Sequence, residues 1–331
     1  MEHPGPLISV IIPERQEEAG IRACVETVLG QDCTESFELL VVDGMSTDRT
    51  REILEEIARD DPRLRVLDNP GRIVPTAMNI GIRAARGRYI VRVDGHSRIP
   101  NDYLSEVLRA FEESGAECVG GAMVAEGKGF WGRLIALATT SAFGMGGSRF
   151  HDRGVAREMD TVYLGAYPRQ VLLDVGLYDE RFVRNQDDEL NYRLRAAGGR
   201  VWFSPGIWVA YECRSTLGRL FSQYAQYGWW KVQVYRKHPR LLEPRHLVPS
   251  LFVLGLLLTA ATSLWLGGLT WLLPAALLGA YLAAATAAAL AGGAGLLRAP
   301  GLVLVFLTIH VAYGSGMLAG LPFIFGGRPR S

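Results

Sequence analysis

The residues best suited to chemistry in this chain are acids placed directly after apolar runs. In VVDGMSTDRT, Asp43 ends such a run and is followed by a small-residue turn and a helix start. That arrangement can bind the polar edge of a ligand, and it serves equally well as a capped turn with no ligand. In RYIVRVDGHSRIP, Asp94 and His96 flank Gly95, so two side chains can face one point. A carboxylate placed straight after an apolar strand costs desolvation unless it binds something. A divalent cation shared with a diphosphate is the economical occupant, with a solvated turn as the competing reading. Mg²⁺ and Mn²⁺ take carboxylates and phosphate oxygens, and an imidazole tilts the choice toward Mn²⁺. In FVRNQDDELNYRLRAAGG, Asp187, Asp188 and Glu189 precede a helix. A helix N-terminus favours negative charge without any catalysis, and Glu189 with Arg193 has the spacing of an ordinary helical ion pair. An aspartate left over beside a metal-bound substrate would be a general base.

Alternating strands and helices must position these groups. Leu7 to Ile12, closed by Pro13, has the profile of a buried strand. EEAGIRACVETVLGQ then puts Ile21, Cys24, Val25, Val28 and Leu29 on one helical face. FELLVVDG predicts a second strand, and Ser46 is placed to cap the helix that continues from Arg51 to Ala58. LRVLDNPG, TAMNIGIRAARG and RYIVRVDG continue as strand, helix and strand. NDYLSEVLRAFEESG and GAECVGGAMVAEG read as another helix and strand. Such alternation argues for a mostly parallel sheet with helices on both faces. Ligands in these sheets bind beyond the carboxyl ends of the strands, where Asp43 and Asp94 fall. Residues 127–160, rich in Gly and Arg, are expected to be an adaptable loop region near the site. A short helix over 170–177, a helix over DDELNYRLRAAGG and one or two strands over VWFSPGIWVAYECR complete the front half.

The back half has a different composition. From Leu247 to Leu297 no residue is charged, and between Arg298 and Arg328 only His310 can become so. A membrane-spanning helix needs about 20 apolar residues, and backbone in lipid is satisfied only in helices or closed barrels. Three spans are expected, near 248–267, 270–291 and 300–325, separated by Gly267-Gly268 and Gly292-Gly293. Three spans leave Arg328 and Arg330 on the outer side, against the positive-inside tendency. Gly314, Gly316, Gly320 and Pro322 suggest that the last segment is bent or re-entrant. Before the tail, LGRLFSQYAQYGWWKVQVYRKHP mixes aromatic and basic residues at helical spacing, which suits a membrane interface. The expected organisation is a catalytic domain over 1–212, interface helices over 213–246 and a transmembrane region over 247–327.

A formal net charge of +1 over 331 residues, with acids and bases interspersed, gives no reason to expect a nucleic-acid partner. Cys24, Cys33, Cys118 and Cys213 have neither metal-type nor paired spacing and read as reduced thiols. The opening MEHPGPLISVIIPE does not look like a cleaved signal peptide. The expected location is the cytoplasmic (inner) membrane, multi-pass, with the catalytic domain in the cytoplasm.

The succession SVIIPERQEE, VVDGMSTDRT, MNIGIRAARG, VRVDGHS and NQDDELNYRLRAAGG resembles the family 2 glycosyltransferases, over roughly residues 7–235. DTVYLGAYPRQVLLDVGLYDERFVRNQDDELNYR is similar to the membrane-anchored group that includes the succinoglycan-pathway glucosyltransferases of exopolysaccharide assembly. The resemblance implies the GT-A fold for nucleotide-diphospho-sugar donors, of which UDP-sugars are favoured. It implies that Pro13, Arg15 and Glu17 line the nucleotide pocket and that Asp43 meets the base. Asp94 and His96 occupy the metal-binding Asp-X-Asp, so Asp94 serves both donor and Mn²⁺ or Mg²⁺. Asp187 occupies the catalytic aspartate, with Asp188 in reserve. Three departures stand out: Gln16 where Asn is usual, His96 for the second Asp, and Gln186 for the Glu before the base.

The implied reaction is an inverting, single displacement by a hydroxyl of a polyprenyl-diphosphate-linked saccharide. Gln223, Gln226, Trp229 and Trp230 are the acceptor or interface candidates. A polyprenyl-phosphate sugar synthase is the nearest alternative. A processive polysaccharide synthase is another, although Gln226-Tyr-Gly-Trp-Trp230 carries Trp229 where its Gln-X-X-Arg-Trp signature has arginine. A non-catalytic membrane scaffold is the third.

Overall fold

The computed structural model describes residues 5–146 and 154–325. Its elements run β1 (Ile8–Glu14), α1 (Ile21–Leu29), β2 (Phe37–Asp43), α2 (Thr50–Asp60), β3 (Leu64–Asp68), α3 (Val74–Ala84) and β4 (Tyr89–Arg92). Then come α4 (Tyr103–Ser114), β5 (Cys118–Glu126), α5 (Gly129–Thr140), α6 (Ala142–Met145), β6 (Arg157–Glu158) and β7 (Tyr163–Pro168). The chain continues through α7 (Arg169–Asp174), α8 (Gln186–Ala196), β8 (Val201–Glu212) and α9 (Leu217–Lys237). It ends in α10 (Pro244–Leu266), α11 (Leu272–Ala291), α12 (Gly295–Gly320) and α13 (Pro322–Phe325). The chain divides into two compact units, Met1–Val124 with Arg149–Tyr211 and Ala125–Ser148 with Glu212–Ser331.

The first unit is built on a sheet of order β3-β2-β1-β4-β7-β5-β8-β6. β1, β2, β3 and β4 pair in parallel, while β7 runs antiparallel to both β4 and β5. Every residue of β1 and β2 is buried, as central parallel strands covered on both faces require. Ile8, Val10 and Ile12 face a core completed by α1, α2 and α4, whereas Ile11 faces one completed by α3, α7 and α8. Period-two alternation sends successive side chains to opposite faces, so β1 needs apolar residues throughout. The chain leaves β1 toward β2 and β3, then crosses to β4 on the other side. This reversal creates the crevice where such sheets bind ligands. The Glu14↔Asp43 and Ile11↔Arg92 registers bring the carboxyl ends of β1, β2 and β4 to that one edge.

Two local expectations are corrected here. Ser46 does not cap α2; its hydroxyl accepts from the Gln16 N–H, and Asp48 Oδ1 instead accepts the Thr50 N–H at 3.1 Å. Residues 127–160 are not mainly loop. They contain α5 and α6, whose apolar partner is the distant α12: Leu134 and Phe130 lie against Gly301, and the Phe143 carbonyl oxygen is 3.0 Å from His310 Nε2. Residues 147–153 of that stretch lie outside the described residues. All four cysteines are free thiols.

Among the described residues of the second unit, three helices are long and apolar enough to cross a membrane: Pro244–Leu266, Gly268–Ala291 and Gly295–Gly320. Leu257, Leu258, Leu264 and Trp265 are exposed on α10, a surface that water would disfavour and lipid accepts. The last span runs unbroken through Gly314 and Gly316, but the helix ends at Gly320 and α13 starts anew at Pro322, the break expected near that proline. Those glycines instead permit close packing: Gly316 lies against Ala225, Gly314 against Pro249 and Gly320 against Val232, while Gly228 of α9 lies against Tyr313. Small residues that let helix backbones approach are the usual packing device in membranes. A Cβ on Gly228 would overlap the Tyr313 carbonyl oxygen, whereas one on Gly279 meets nothing within 4 Å. Gly228→Val is therefore expected to cost the about 1–3 kcal/mol typical of overpacking. It should lower the melting temperature in detergent, with Gly279→Val close to wild type; equal melting temperatures would refute this view of the seam.

Candidate active site

Arg92 is the hub of the site. It is the last residue of β4, between buried Val91 and Val93, and its side chain is only 6% exposed. Its Nε donates to Asp94 Oδ1 at 2.8 Å, and its Nη1 donates to both Asp187 oxygens at 2.8 and 2.9 Å. A buried guanidinium is tolerable only when paired with good geometry, and here two carboxylates from distant segments supply the pairing. Burial opposes the Arg92 charge, but Asp187 and then Asp94 outweigh it and hold the guanidinium firmly protonated. Asp187 is the second residue of α8. Burial pushes its carboxyl above the ordinary range, Arg92 pulls it back, and Asp94 and Asp188 push it up again. A raised carboxyl is a stronger base, the direction a proton acceptor needs.

An ion pair further along anchors α8. Glu189, fully buried, accepts from Arg193 at 2.8–3.0 Å, and Arg193 also donates to the Val175 and Leu177 carbonyls. Asp188 is half-buried beside Asp187. Gln186 is buried, so the side chain standing before Asp187 is neutral and enclosed.

The loop after β1 is stitched to the loop after β2. Gln16, at φ 59°, donates its N–H to Ser46 Oγ, and its Oε1 accepts the N–H groups of Thr47 and Asp48 at 3.0 and 3.1 Å. Glu17 N–H donates to Thr50 Oγ1, and Glu18 accepts the Arg49 N–H. Pro13 is buried within β1, and exposed Arg15 lays its side-chain carbons over Gly44. Asp43 is nearly buried; it accepts the Ser46 N–H at 3.0 Å and has Arg51 Nη1 at 3.8 Å. His96 Nδ1 lies 3.2 Å from Glu17 Oε1.

Two groups were not singled out from sequence. Glu14, beside Asp43 in the β1–β2 register, is 7% exposed with both carboxyl oxygens buried and without a donor. Burial, and then the neighbouring Asp43 carboxylate, pushes it up to about 9. It is therefore neutral at pH 7, with a carboxyl O–H able to donate a hydrogen bond to Asp43. Arg92 was visible only as a charge inside the apolar run YIVRVDG, a signal that some acid elsewhere must meet it. Cys24, whose Sγ lies 3.3 Å from the Asp94 carbonyl oxygen, is pushed up to about 12 by burial and is an inert thiol.

Among the described residues no three His, Cys, Asp or Glu side chains form a ready-made metal cage. Asp94 and His96 are nonetheless donor types that Mn²⁺ accepts. Glu17 on His96 Nδ1 matches the carboxylate support that orients metal-binding imidazoles. The donor set fits a divalent ion whose remaining ligands come from phosphate and water.

Gln223, Gln226, Trp229 and Trp230 sit on α9 in the second unit. Gln223 Nε2 donates to Tyr227 Oη at 3.0 Å, and Gln226 Nε2 is 3.4 Å from Ser222 Oγ. Trp229 packs edge-on against Trp230 at 4.8 Å and against Phe323 at 6.0 Å.

The sequence model of glycosyl transferase family 2 matches residues 9–171. The succinoglycan biosynthesis protein ExoA of Rhizobium meliloti is 33% identical over 72% of this chain and 73% of its own length. A dolichyl N-acetyl-alpha-D-glucosaminyl phosphate 3-beta-D-2,3-diacetamido-2,3-dideoxy-beta-D-glucuronosyltransferase of Methanococcus voltae is 28% identical over 70% of this chain and 74% of its own. Among solved structures, the mannosyltransferase PcManGT of Pyrobaculum calidifontis, in complex with GDP-Man and Mn²⁺, superposes with a TM-score of 0.61. That match covers 96% of this chain and 87% of the other at 20% identity. The S. aureus TarS structure in complex with UDP-GlcNAc gives 0.52 over 96% and 92% at 17% identity. These likenesses establish the GT-A architecture, and with the extent of the ExoA match they show that this chain belongs to glycosyl transferase family 2.

Proposed function

We propose that the chain transfers a sugar, with inversion, from a nucleotide-diphospho-sugar to a hydroxyl of a lipid-linked saccharide at the cytoplasmic face of the inner membrane. The observation that carries this reading is the single guanidinium joining Asp94 to Asp187. It puts the carboxylate suited to the donor's diphosphate next to the carboxylate suited to the acceptor's proton. Asp187 accepts the hydroxyl proton as that oxygen attacks the anomeric carbon, and the nucleoside diphosphate leaves from the opposite face. One base and no second nucleophile give inversion. Pro13, Arg15, Glu17 and Asp43 line the nucleotide pocket, with UDP the favoured nucleotide. Asp94 and His96 would hold Mn²⁺ or Mg²⁺, which when bound supplies charge neutralisation to the departing diphosphate.

The three apolar helices support a lipid-borne acceptor, since they keep the protein where such a substrate resides. The names of two relatives point the same way, one to succinoglycan assembly and one to a dolichyl-phosphate sugar acceptor. Gln223, Gln226, Trp229 and Trp230 are the candidates for meeting acceptor or headgroups.

Purified full-length protein incubated with a panel of nucleotide sugars, Mn²⁺ or Mg²⁺ and bacterial lipid extract is expected to release one nucleoside diphosphate. It should also form one glycosylated lipid, with inverted anomeric configuration by NMR. Retention of configuration, or sugar attached directly to a lipid phosphate, would overturn the proposal.

A further inference from the structure

We propose that the junction of α9 and α10 binds the headgroups of anionic glycerophospholipids through Lys231, Arg236, Lys237, Arg240 and Arg245. Between Lys231 and Arg245 these five basic residues are accompanied by one acid, Glu243. The whole chain carries a formal net charge of +1, so the excess is local.

Arg236, Arg240 and Arg245 are exposed, and Lys231 and Lys237 are half-buried. Part of the cluster has a role within the fold. Arg236 and Lys237 stand in the last turn of α9, where the helix dipole favours a cation. Arg236 Nη1 also donates to the Phe323 carbonyl oxygen at 3.1 Å. Arg245 Nε lies 2.6 Å from Glu243 Oε2, which offsets one charge in part. These roles leave Arg240 and most of the positive charge unexplained. Apolar side chains are exposed beside it: Leu242 is 43%, Val248 62% and Phe323 39% exposed. At a lipid surface they enter the acyl boundary, while the long basic side chains carry their charge back to the phosphates. Tyr235 stacks on His246 with centroids 5.8 Å apart, and Lys231 Nζ lies 5.9 Å from the Tyr235 ring. The end of α9 and the start of α10 are thereby held together, and their charges present one surface next to the first apolar helix. Clusters of Lys and Arg beside such a helix attract anionic headgroups and leave zwitterionic ones indifferent. Charges strung along an exposed turn suit several singly charged phosphates better than one enclosed diphosphate. A headgroup layer held there sets the depth of α9, the helix that carries Gln223, Gln226, Trp229 and Trp230.

The test melts full-length protein in neutral-detergent micelles doped with rising amounts of phosphatidylglycerol or phosphatidylcholine. Half-maximal stabilisation is expected at a phosphatidylglycerol mole fraction at least tenfold below that needed with phosphatidylcholine. Attachment to an anionic surface gains about fivefold per basic residue. The triple variant Lys237→Gln, Arg240→Gln, Arg245→Gln should therefore need at least tenfold more phosphatidylglycerol. Arg240→Lys with Arg245→Lys keeps the charge and should stay within a few-fold of wild type. Raising salt from about 0.05 M to about 0.5 M shortens the screening length and should erode the preference of wild type for phosphatidylglycerol. That measurement decides even if the triple variant fails to fold, since a preference that salt leaves unchanged is not one of charge. Equal half-maxima for the two lipids, or a folded triple variant that responds like wild type, would overturn the proposal. So would stabilisation by a polyprenyl diphosphate at a tenfold lower mole fraction than phosphatidylglycerol and lost in the triple variant, which would give this surface to the acceptor. All of these readouts are independent of nucleotide binding and turnover.

Discussion

Asp187→Asn lowers turnover by 10²–10⁴-fold, the loss expected when a general base is removed, while nucleotide-sugar binding persists. Asparagine keeps one oxygen for the Arg92 guanidinium, so one of the two contacts at 2.8 and 2.9 Å can persist, while the ion pair and the proton acceptor are lost; a melting curve checks that the variant folds. The pH dependence follows from the direction of the shift. Burial raises Asp187 above the ordinary carboxylate range, with Arg92 opposing. The active carboxylate is therefore lost as pH falls, and the acid limb of turnover should lie above the usual value near 4. Steady-state rates against pH, with nucleotide binding measured alongside, check both statements. Near-normal turnover in Asp187→Asn would sink the base assignment and favour a phosphate nucleophile, which needs no strong base. Collapse in Asp188→Asn in its place would hand the role to the neighbouring acid.

Glu14→Gln should stabilise the protein, and more so as pH rises. Glu14 is pushed from 4.5 to about 9, first by burial and then by Asp43. In the unfolded chain it ionises near 4.5, whereas in the folded protein it stays protonated. Folding is thus unpenalised below about pH 4.5, is progressively opposed as pH rises, and reaches its full penalty above about 9. At pH 7 the penalty is on the order of 3 kcal/mol, from 1.36 kcal/mol per unit of pH. Glutamine cannot ionise and removes it. Melting curves of detergent-purified wild type and variant, collected from pH 5 to pH 9, should diverge with the variant higher. Parallel curves would show that Glu14 is ionised in the folded state. An acid kept at this cost where β1 and β2 end is the kind of local compromise found at functional sites.

Much of this arrangement was legible beforehand because each piece is local. Asp43 and Asp94 follow apolar strands, and a doubly covered parallel sheet sends such residues to its carboxyl edge. Gly267-Gly268 and Gly292-Gly293 separate the apolar helices as composition suggested. The missed features depend on partners far away in the chain. Arg92 and Asp187 are 95 positions apart, and nothing in YIVRVDG specifies which acid neutralises its arginine. Glu14 becomes unusual because the sheet buries it and because the strand register sets it beside Asp43. GFWGRLIALATT has apolar residues without a clear polar face because its partner Gly301 belongs to the tail, well over 150 positions later. Ser46 satisfied a local capping rule, yet Gln16 from the neighbouring loop engages it first.

The glycine contacts between α9 and α12 bear on how the enzyme can be handled. Ala225, Gly228 and Val232 rest on Gly316, Tyr313 and Gly320, so α9 owes its buried side to a helix that follows it by nearly sixty residues. A chain cut at residue 246 would strip that cover and leave Val232 and Tyr235, which pack with Met317 and Tyr313, facing solvent. Trimming the greasy tail to gain solubility should therefore yield aggregates, and retaining all three apolar helices is the sounder route to active material.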